Sequence, residues 1–463
     1  MDPENLTREL ARFAAGFNES TAPDEVIEHQ KESLTDAIGV LSAATSIGEG
    51  CQTFVELALA EGGEGPCLVL GTDRKTTPTQ AALANGSFGH AADFEDSHGG
   101  TRIHPNAVSI PAVLACAQYV GGVPGRQLLA ALALGSEMSI RIALGPNEDL
   151  AQYGFYMPPV HEALGASFGC GAILGLDEDQ MMDALTLAMN QAIVSSELVA
   201  SKDSVMRSVR DGFSARAAVT AALLAKNGCH ARFEHALEGK NGYYRMYAYQ
   251  GGFDANRVLE GLGETFECTK IAFKPWPSCL GTHTSIQALD EIMREQGLGM
   301  DDIEHIDVTV SSMNDMLINP REAKYHPQNA INGKFSIPFT MATMAKYRTV
   351  TLDSYTPERL NDPDLVAFMQ RIDAHAQTID GSDTTTTCLM KLTAKDGRTF
   401  DKRVDASKGR LENPLTAEER KTKFDGCMKL SRRGYTPERS QQIFETIQKL
   451  DTLASSEELM DLL

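Results

Sequence analysis

From Asp24 to Ala44 the chain reads DEVIEHQKESLTDAIGVLSAA, which puts Val26, Ile27, Leu34, Ile38 and Leu41 near one stripe of a helix. Pro23 stands where it suits a first helical turn. Further runs, IPAVLACAQYV, QLLAALALGSEMSIRIAL, ALTLAMNQAIVSS and FSARAAVTAALLAKNG, are rich in Ala, Leu and Gly. Such composition suits helices packed closely against each other in a buried interior. Strand and helix do not alternate regularly here, which argues against a doubly wound sheet.

The pattern changes after Gly263. HIDVTVSS alternates Ile306, Val308 and Val310 as a half-buried strand does. CLMKLTAKDGRTFDKRVDA reads as two strands joined at Asp396-Gly397, a favoured hairpin dipeptide. SIPFTMATMAKY between them is helical, and Thr416 with Glu419 has capping-box spacing ahead of ERKTKFDGCMKL. The expected fold is mainly α: an all-helical domain over 1–263, an inserted α+β domain over 264–406, and helices over 407–463 that return to the first domain. At 463 residues the chain is long enough for two to three domains.

Composition narrows the function. With 42% hydrophobic and 23% charged residues, the chain has the balance of a soluble globular protein. A net charge of −21 argues against nucleic acid and anionic membranes as partners. An anionic ligand would therefore need a local basic pocket. Nine cysteines without a CxxC pair suggest neither a zinc site nor a disulfide framework. The start, MDPENLTREL, lacks the layout of a signal peptide, and no apolar run is expected to reach membrane-spanning length. The expectation is a cytoplasmic protein.

Candidate chemistry gathers in HAADFEDSHGGTRIHPN, His90 to Asn106, where Asp93, Glu95 and Asp96 meet His90, His98 and His104. Asp93 and Asp96 would share a helical face, and two close carboxylates can be driven to different pKa values. The plainer reading is a solvated acidic helix end followed by a Gly-Gly loop. His98, His104 and the aspartates are competent metal ligands, but no second cluster at helical spacing completes a site. GASFG at Gly165–Gly169 matches the nucleophile elbow, yet no strand precedes it. No phosphate-binding or dinucleotide fingerprint appears, so no nucleotide cofactor is expected. In FKPWPSCLGTHTSIQALDEI, two prolines bracket the only tryptophan and stiffen the chain beyond Lys274, which can aim a charge or a proton; the plainer reading is a surface lysine in a rigid loop.

Taken together, HAADFEDSH, HPNAVSIPAVLACA, FKPWPSC with its following TH, and NGKFSIPFTMATMA resemble the MmgE/PrpD family. That family contains 2-methylcitrate dehydratases, cis-aconitate decarboxylases and iminodisuccinate epimerase. The resemblance runs in order from about Thr7 to Phe424. It implies a helical domain with an inserted α+β lid, a homodimer, an active site between the domains, and no metal or organic cofactor. It further implies catalytic roles for Asp93, His104 and Lys274, with Asp96 as a second acid and Ser97 in a Thr/Ser position. Two positions depart from the family pattern. Tyr156 falls where a family histidine stands, with His161 nearby as its substitute. In RSVRDG, Arg207 replaces a family lysine, and Arg210 is an additional cation.

The chemistry explains the need for such groups. Charge developing next to a carboxylate must be offset by aimed cations and hydrogen-bond donors in a partly dry pocket. His104, Lys274 and Arg207 are expected to supply them, with Asp93 orienting an imidazole or sharing a proton. Arg207 can clamp a carboxylate bidentately, as lysine cannot. The first reaction this implies is cofactor-free dehydration of a citrate-like di- or tricarboxylic acid. Decarboxylation of an aconitate-like acid and epimerisation of a substituted succinate are the alternatives. From other classes come a metal-dependent hydrolase built on Asp93, Asp96 and His104, and a non-enzymatic binding protein.

Overall fold

The computed structural model describes residues 2–201, 204–381 and 386–463. The chain is mainly α-helical and divides into two compact units. One comprises Met1–Phe273 with Ala417–Leu463, and the other Lys274–Thr416.

In the first unit the apolar stripe of Asp24–Ile47 forms one continuous helix, with Val26, Ile27, Leu34, Ile38 and Leu41 all buried. Pro23 is its N-cap rather than a first-turn residue. Prolines do open Pro78–Ser87, Pro105–Tyr119 and Pro158–Leu174, where a missing N–H costs nothing because the first turn has no partner for it. The helices Gly125–Leu144 and Pro158–Leu174 pack along each other, and Asp211–Lys226 packs across Pro158–Leu174 and Pro78–Ser87.

This contact explains GASFG. It lies inside a helix, with Ser167 buried and its hydroxyl donating to the Leu164 carbonyl. A Cβ on Gly165 would lie 2.2 Å from the Ser139 nitrogen, and one on Gly169 2.7 Å from the Ala131 carbonyl oxygen. The glycines are there so that two helix backbones can approach. Gly165→Ala should therefore lower unfolding free energy by about 1–3 kcal/mol in a urea titration, as overpacking does. Gly426→Ala should do the opposite, raising it by about 0.5–1 kcal/mol, because Gly426 sits within the helix Ala417–Met428 with nothing within 4 Å.

Two expectations need correction here. The first unit is not wholly helical: Cys67–Leu68 pairs with Lys75–Thr76, and Ser97–His98 pairs with Ile271–Ala272, both antiparallel. These strands are two residues long and too short to show a period of two. The second concerns hydrophobic length. Gly125–Leu144, at 20 residues, is long and apolar enough to cross a membrane by length and composition. Its most apolar window is nonetheless 83% buried within the protein. It also carries Glu137 and Arg141, paired at 2.5 Å, and Arg141 donates to the carbonyls of Val258, Glu260 and Thr265. This is a core helix whose charges are satisfied internally.

The last helices of the chain belong to the first unit. Ala417–Met428 and Pro437–Gln448 pack on Asp24–Ile47. Lys423 reaches the buried Asp36 at 2.6 Å, donates to the Phe94 carbonyl at 2.7 Å, and lies 4.0 Å above the Phe94 ring.

The second unit is built on a four-stranded mixed sheet. Ile303–Ser311 is central, parallel to Ile372–Gln377 on one side and antiparallel to Cys388–Ala394 on the other. Thr399–Val404 completes the edge, paired antiparallel with Cys388–Ala394. Gly397, at φ 86°, makes the turn between those strands at the expected Asp396-Gly397. Ile306, Val308 and Val310 face a core that also holds Ile286, Leu289 and Phe339 from the helices Leu280–Gln296 and Ile337–Tyr347.

Candidate active site

The stretch from His90 to His104 is not helical in its middle. Asp93 takes a left-handed backbone (φ 49°), so Asp93 and Asp96 do not share a helical face. The chain turns tightly through Asp93 and Phe94, runs out along Ser97–His98, and returns through Gly99–Arg102 to His104. Donation from His98 N to the Ile103 carbonyl, and from Arg102 N to the His98 carbonyl, closes that return. Tight turning, rather than helical periodicity, packs this many polar groups together. His90, Asp93, Glu95, Asp96, Ser97 and His98 are all buried.

His104 is the N-cap of Pro105–Tyr119, and Pro105 keeps it out of the helical region (φ −119°, ψ 70°). Its backbone N–H donates to Glu162 Oε1 at 2.6 Å. Its ring Nδ1 lies 2.7 Å from the Asp96 carbonyl oxygen and 3.1 Å from Glu95 Oε1. A carbonyl oxygen only accepts, so Nδ1 carries the hydrogen and the exchangeable proton of His104 belongs to Nε2. Asp96 turns its side chain the other way, accepting from Asn106 Nδ2 at 2.9 Å. Asn106 in turn accepts from Ser136 and Gln30. Burial, then the charges of Asp36 and Glu95, push the Asp96 carboxyl up to about 8.

His90 sits beside His104, with ring centroids 4.9 Å apart. Its Nδ1 is 2.6 Å from Glu95 Oε1. Distance alone would make this an ion pair, but burial first, and the Arg210 charge second, lower His90 to about 3. The contact is a neutral imidazole N–H donating to a carboxylate. His98 faces elsewhere: Nδ1 meets Thr101 Oγ1 at 2.9 Å and Nε2 meets Glu267 at 3.5 Å. It is a buried strand residue rather than the loop residue its surrounding glycines suggest.

A cavity of about 430 Å³ opens beside this network, lined by Thr101, Arg102, Ile103, Tyr156 and His161 among others. That volume accommodates a small polycarboxylate. Burial lowers His161 to about 3, so it is a neutral imidazole, and neither ring nitrogen has a hydrogen-bond partner among the described residues. Tyr156 packs against Arg210, whose guanidinium carbon lies 5.1 Å from the ring centroid. Arg210 is fully buried, 3.3 Å from Asp211, and lines a smaller cavity of about 180 Å³ with Gln191, Ile193 and Ser214. Arg207 is half-buried, and its carbonyl accepts from Arg210 Nη1. Burial drives the Glu162 carboxyl well above its ordinary range, and the nearby Asp211 adds to the effect.

The first unit holds Asp93, Asp96, Ser97, His104, Tyr156, His161, Arg207 and Arg210; among them His104 meets Asp96, Tyr156 meets Arg210 and shares a cavity wall with His161, and Arg207 meets Arg210 through its carbonyl. Lys274, buried, opens the second unit. Sequence reasoning passed over the acids that touch His104, namely Glu95 and Glu162. Glu95 stands inside the segment singled out, but a contact between residues nine apart has no local signal. Glu162 had one: it is a charged residue in the otherwise apolar, small-residue run VHEALGASFG. For a metal ion, His90, Glu95 and His104 offer ligand atoms within 4.8 Å of one another, a different set from the Asp93, Asp96 and His104 of the hydrolase alternative. Both Nδ1 atoms already donate, so a metal there would first have to displace two hydrogen bonds.

Fold and site together describe a cavity lined by neutral imidazole beside a carboxylate-held histidine, on a glycine-packed helical unit. Residues 8–256 match the MmgE/PrpD N-terminal domain and residues 276–452 the MmgE/PrpD C-terminal domain, so the chain belongs to the MmgE/PrpD family. It is similar to the cis-aconitate decarboxylase-like protein oryM of Aspergillus oryzae, 26% identical over 99% of this chain and 97% of that protein. Similarity extends to the cis-aconitate decarboxylases of Aspergillus terreus, 23% identical over 81% of this chain and 79% of theirs, and of Mus musculus, 24% identical over 91% and 86%.

Proposed function

We propose that this protein is a cofactor-free lyase that decarboxylates an aconitate-like tricarboxylate. Similarity along nearly the whole chain to proteins named for cis-aconitate decarboxylation moves this reaction ahead of the dehydration first expected. The observation that carries the reading in the site is His104, whose Nδ1 is held by Asp96 and Glu95 next to the cavity-lining Arg102 and Ile103.

In such a substrate one carboxylate stands one carbon away from the double bond. Its C–C bond breaks and CO2 leaves. The freed electron pair forms a new double bond, and the old π pair moves to the carbon beside another carboxylate. That carbon takes one proton, giving an unsaturated dicarboxylate. Each turnover therefore consumes one proton, which His104 Nε2 supplies as imidazolium. The lost carboxylate goes from charged to neutral, a change favoured by a wall of uncharged groups such as His161. The remaining carboxylates need cations, and Arg207 and Lys274 fill that role, with Asp93 and Ser97 shaping the site and Tyr156 lining the cavity. Lys274 enters by chain continuity, two residues after Ala272, the partner of Ser97.

Incubation with a panel of polycarboxylates in deuterated water, followed by NMR, tests this. The expected result is CO2 release with one deuterium in the new methylene of the product. Water loss without CO2, or deuterium exchange without net conversion, would replace decarboxylation by dehydration or epimerisation respectively.

A further inference from the structure

We propose that Glu95 is the positioning residue for His104, a single carboxylate oxygen that stands with the Asp96 carbonyl against the ring Nδ1–H and strengthens Nε2 as the proton carrier. The proposal rests on the functional reading above for the role of His104, while its geometric core does not. Glu95 Oε1 is 2.6 Å from His90 Nδ1 and 3.1 Å from His104 Nδ1. Two imidazole Nδ1 atoms therefore converge on one oxygen. The Glu95 side chain is 3% exposed, which leaves almost no water to compete with them.

The charges around this pair show why Glu95 is the anion. From the same loop come His90, Asp93 and Asp96. Asp36, on Asp24–Ile47, stands behind Asp96 and adds its charge there. Pro158–Leu174 contributes Glu162, which takes the His104 backbone N–H. Arg210 and Asp211 approach from the start of Asp211–Lys226. Burial favours the protonated form of both Asp96 and Glu162. Glu95 accepts from His90 and stands 3.1 Å from His104 Nδ1, and donors aimed at a carboxylate favour its charged form. Arg210 supplies the fixed positive charge that balances it.

A negative charge held against Nδ1–H favours the imidazolium form, so Glu95 raises the basicity of Nε2. It also prevents a ring flip, since a flipped ring would present Nε2 to the Asp96 carbonyl and Nδ1 to the substrate. His90 completes the device: by donating to the same oxygen it keeps the carboxylate from rotating toward another partner.

The test uses Glu95→Gln and Glu95→Asp in the full chain, with histidine-selective 15N and 13C labelling. Gln keeps an acceptor oxygen and removes the charge, whereas Asp keeps the charge and shortens the reach. In the resting wild-type protein, 15N shifts should report His104 as the Nδ1–H tautomer. In Glu95→Gln the His104 pKa should fall by about one unit or more, and kcat on a tricarboxylate should fall by about 10- to 100-fold with little change in KM. The pH profile should shift to the acid side in parallel, and Glu95→Asp should recover part of both effects. A wild-type Nε2–H tautomer, or an unchanged His104 pKa in Glu95→Gln, overturns the proposal. Where Glu95→Gln does not fold, Glu95→Asp is read in the same way, and a His104 pKa equal to that of wild type there overturns the proposal. The NMR readings need no substrate, so they stand or fall apart from the assigned reaction: absence of any turnover in wild type would end the functional reading alone.

Discussion

Replacing His104 with glutamine lowers turnover by roughly 10²–10⁴-fold, the usual contribution of a positioned general acid. The amide preserves bulk, and its N–H2 group can still donate to the Asp96 carbonyl that now receives Nδ1–H. What it cannot do is carry a proton near neutral pH. Folding should therefore change little, since the side chain is 13% exposed and the backbone bond to Glu162 does not involve the ring. His98→Gln is the control. His98 touches Thr101 and Glu267, and its hydrogen bond is the first cause that draws Glu267 down to about 2. Its replacement should affect stability modestly and turnover far less, because Glu267 retains Lys270 at 2.7 Å. Steady-state kinetics and thermal melts on both variants check this. Full activity in His104→Gln beside an inactive, folded His98→Gln would reverse the assignment.

Lys423→Met costs about 3–5 kcal/mol of unfolding free energy, the range for removing one partner of a buried ion pair. The Lys423 and Asp36 side chains are 6% and 4% exposed, and the ammonium is held by Asp36, the Phe94 carbonyl and the Phe94 ring together. Methionine replaces the bulk but not the charge or the donor. Asp36 also bears on the Asp96 carboxyl, so the effect should reach the site and lower activity beyond the loss of folded protein. The double variant Lys423→Met with Asp36→Leu should recover much of the stability, since replacing both charges by apolar groups removes the desolvation penalty. Urea titrations of the single and double variants decide it. A single-variant loss under about 1 kcal/mol would mean that the pair is not maintained in solution.

Much of this protein was legible along the chain. Regular periodicity announces itself locally, so the long helix Asp24–Ile47, the strand Ile303–Ser311 and the hairpin at Asp396-Gly397 could be read from residues within one window. Family membership was equally legible, because HAADFEDSH, the HPN segment and FKPWP keep their order and composition. The strand Ile372–Gln377 was not, since IDAHAQ alternates on alanines, which favour strands little, and it gains its place by pairing in parallel with Ile303–Ser311. Nor was the reason for the glycines of GASFG, which depends on the backbone of Ser139 on another helix.

The chemistry divides in the same way. Residue types within His90–Asn106 were enough to mark a place where acids and imidazoles concentrate. Which acid meets which ring depends on a left-handed turn at Asp93, a two-residue strand, and the helix that brings Glu162 under the His104 N–H. The sequence by itself determined the mainly helical class, the family and the segment where acids and imidazoles gather, because those follow from local pattern and order. Tertiary structure alone decided that Glu95 is in contact with both His90 and His104, that His161 is uncharged, and that Lys423 is tied to Asp36 and Phe94. Hydrogen bonds and burial act over a few ångströms in space, and separation along the chain carries no record of them.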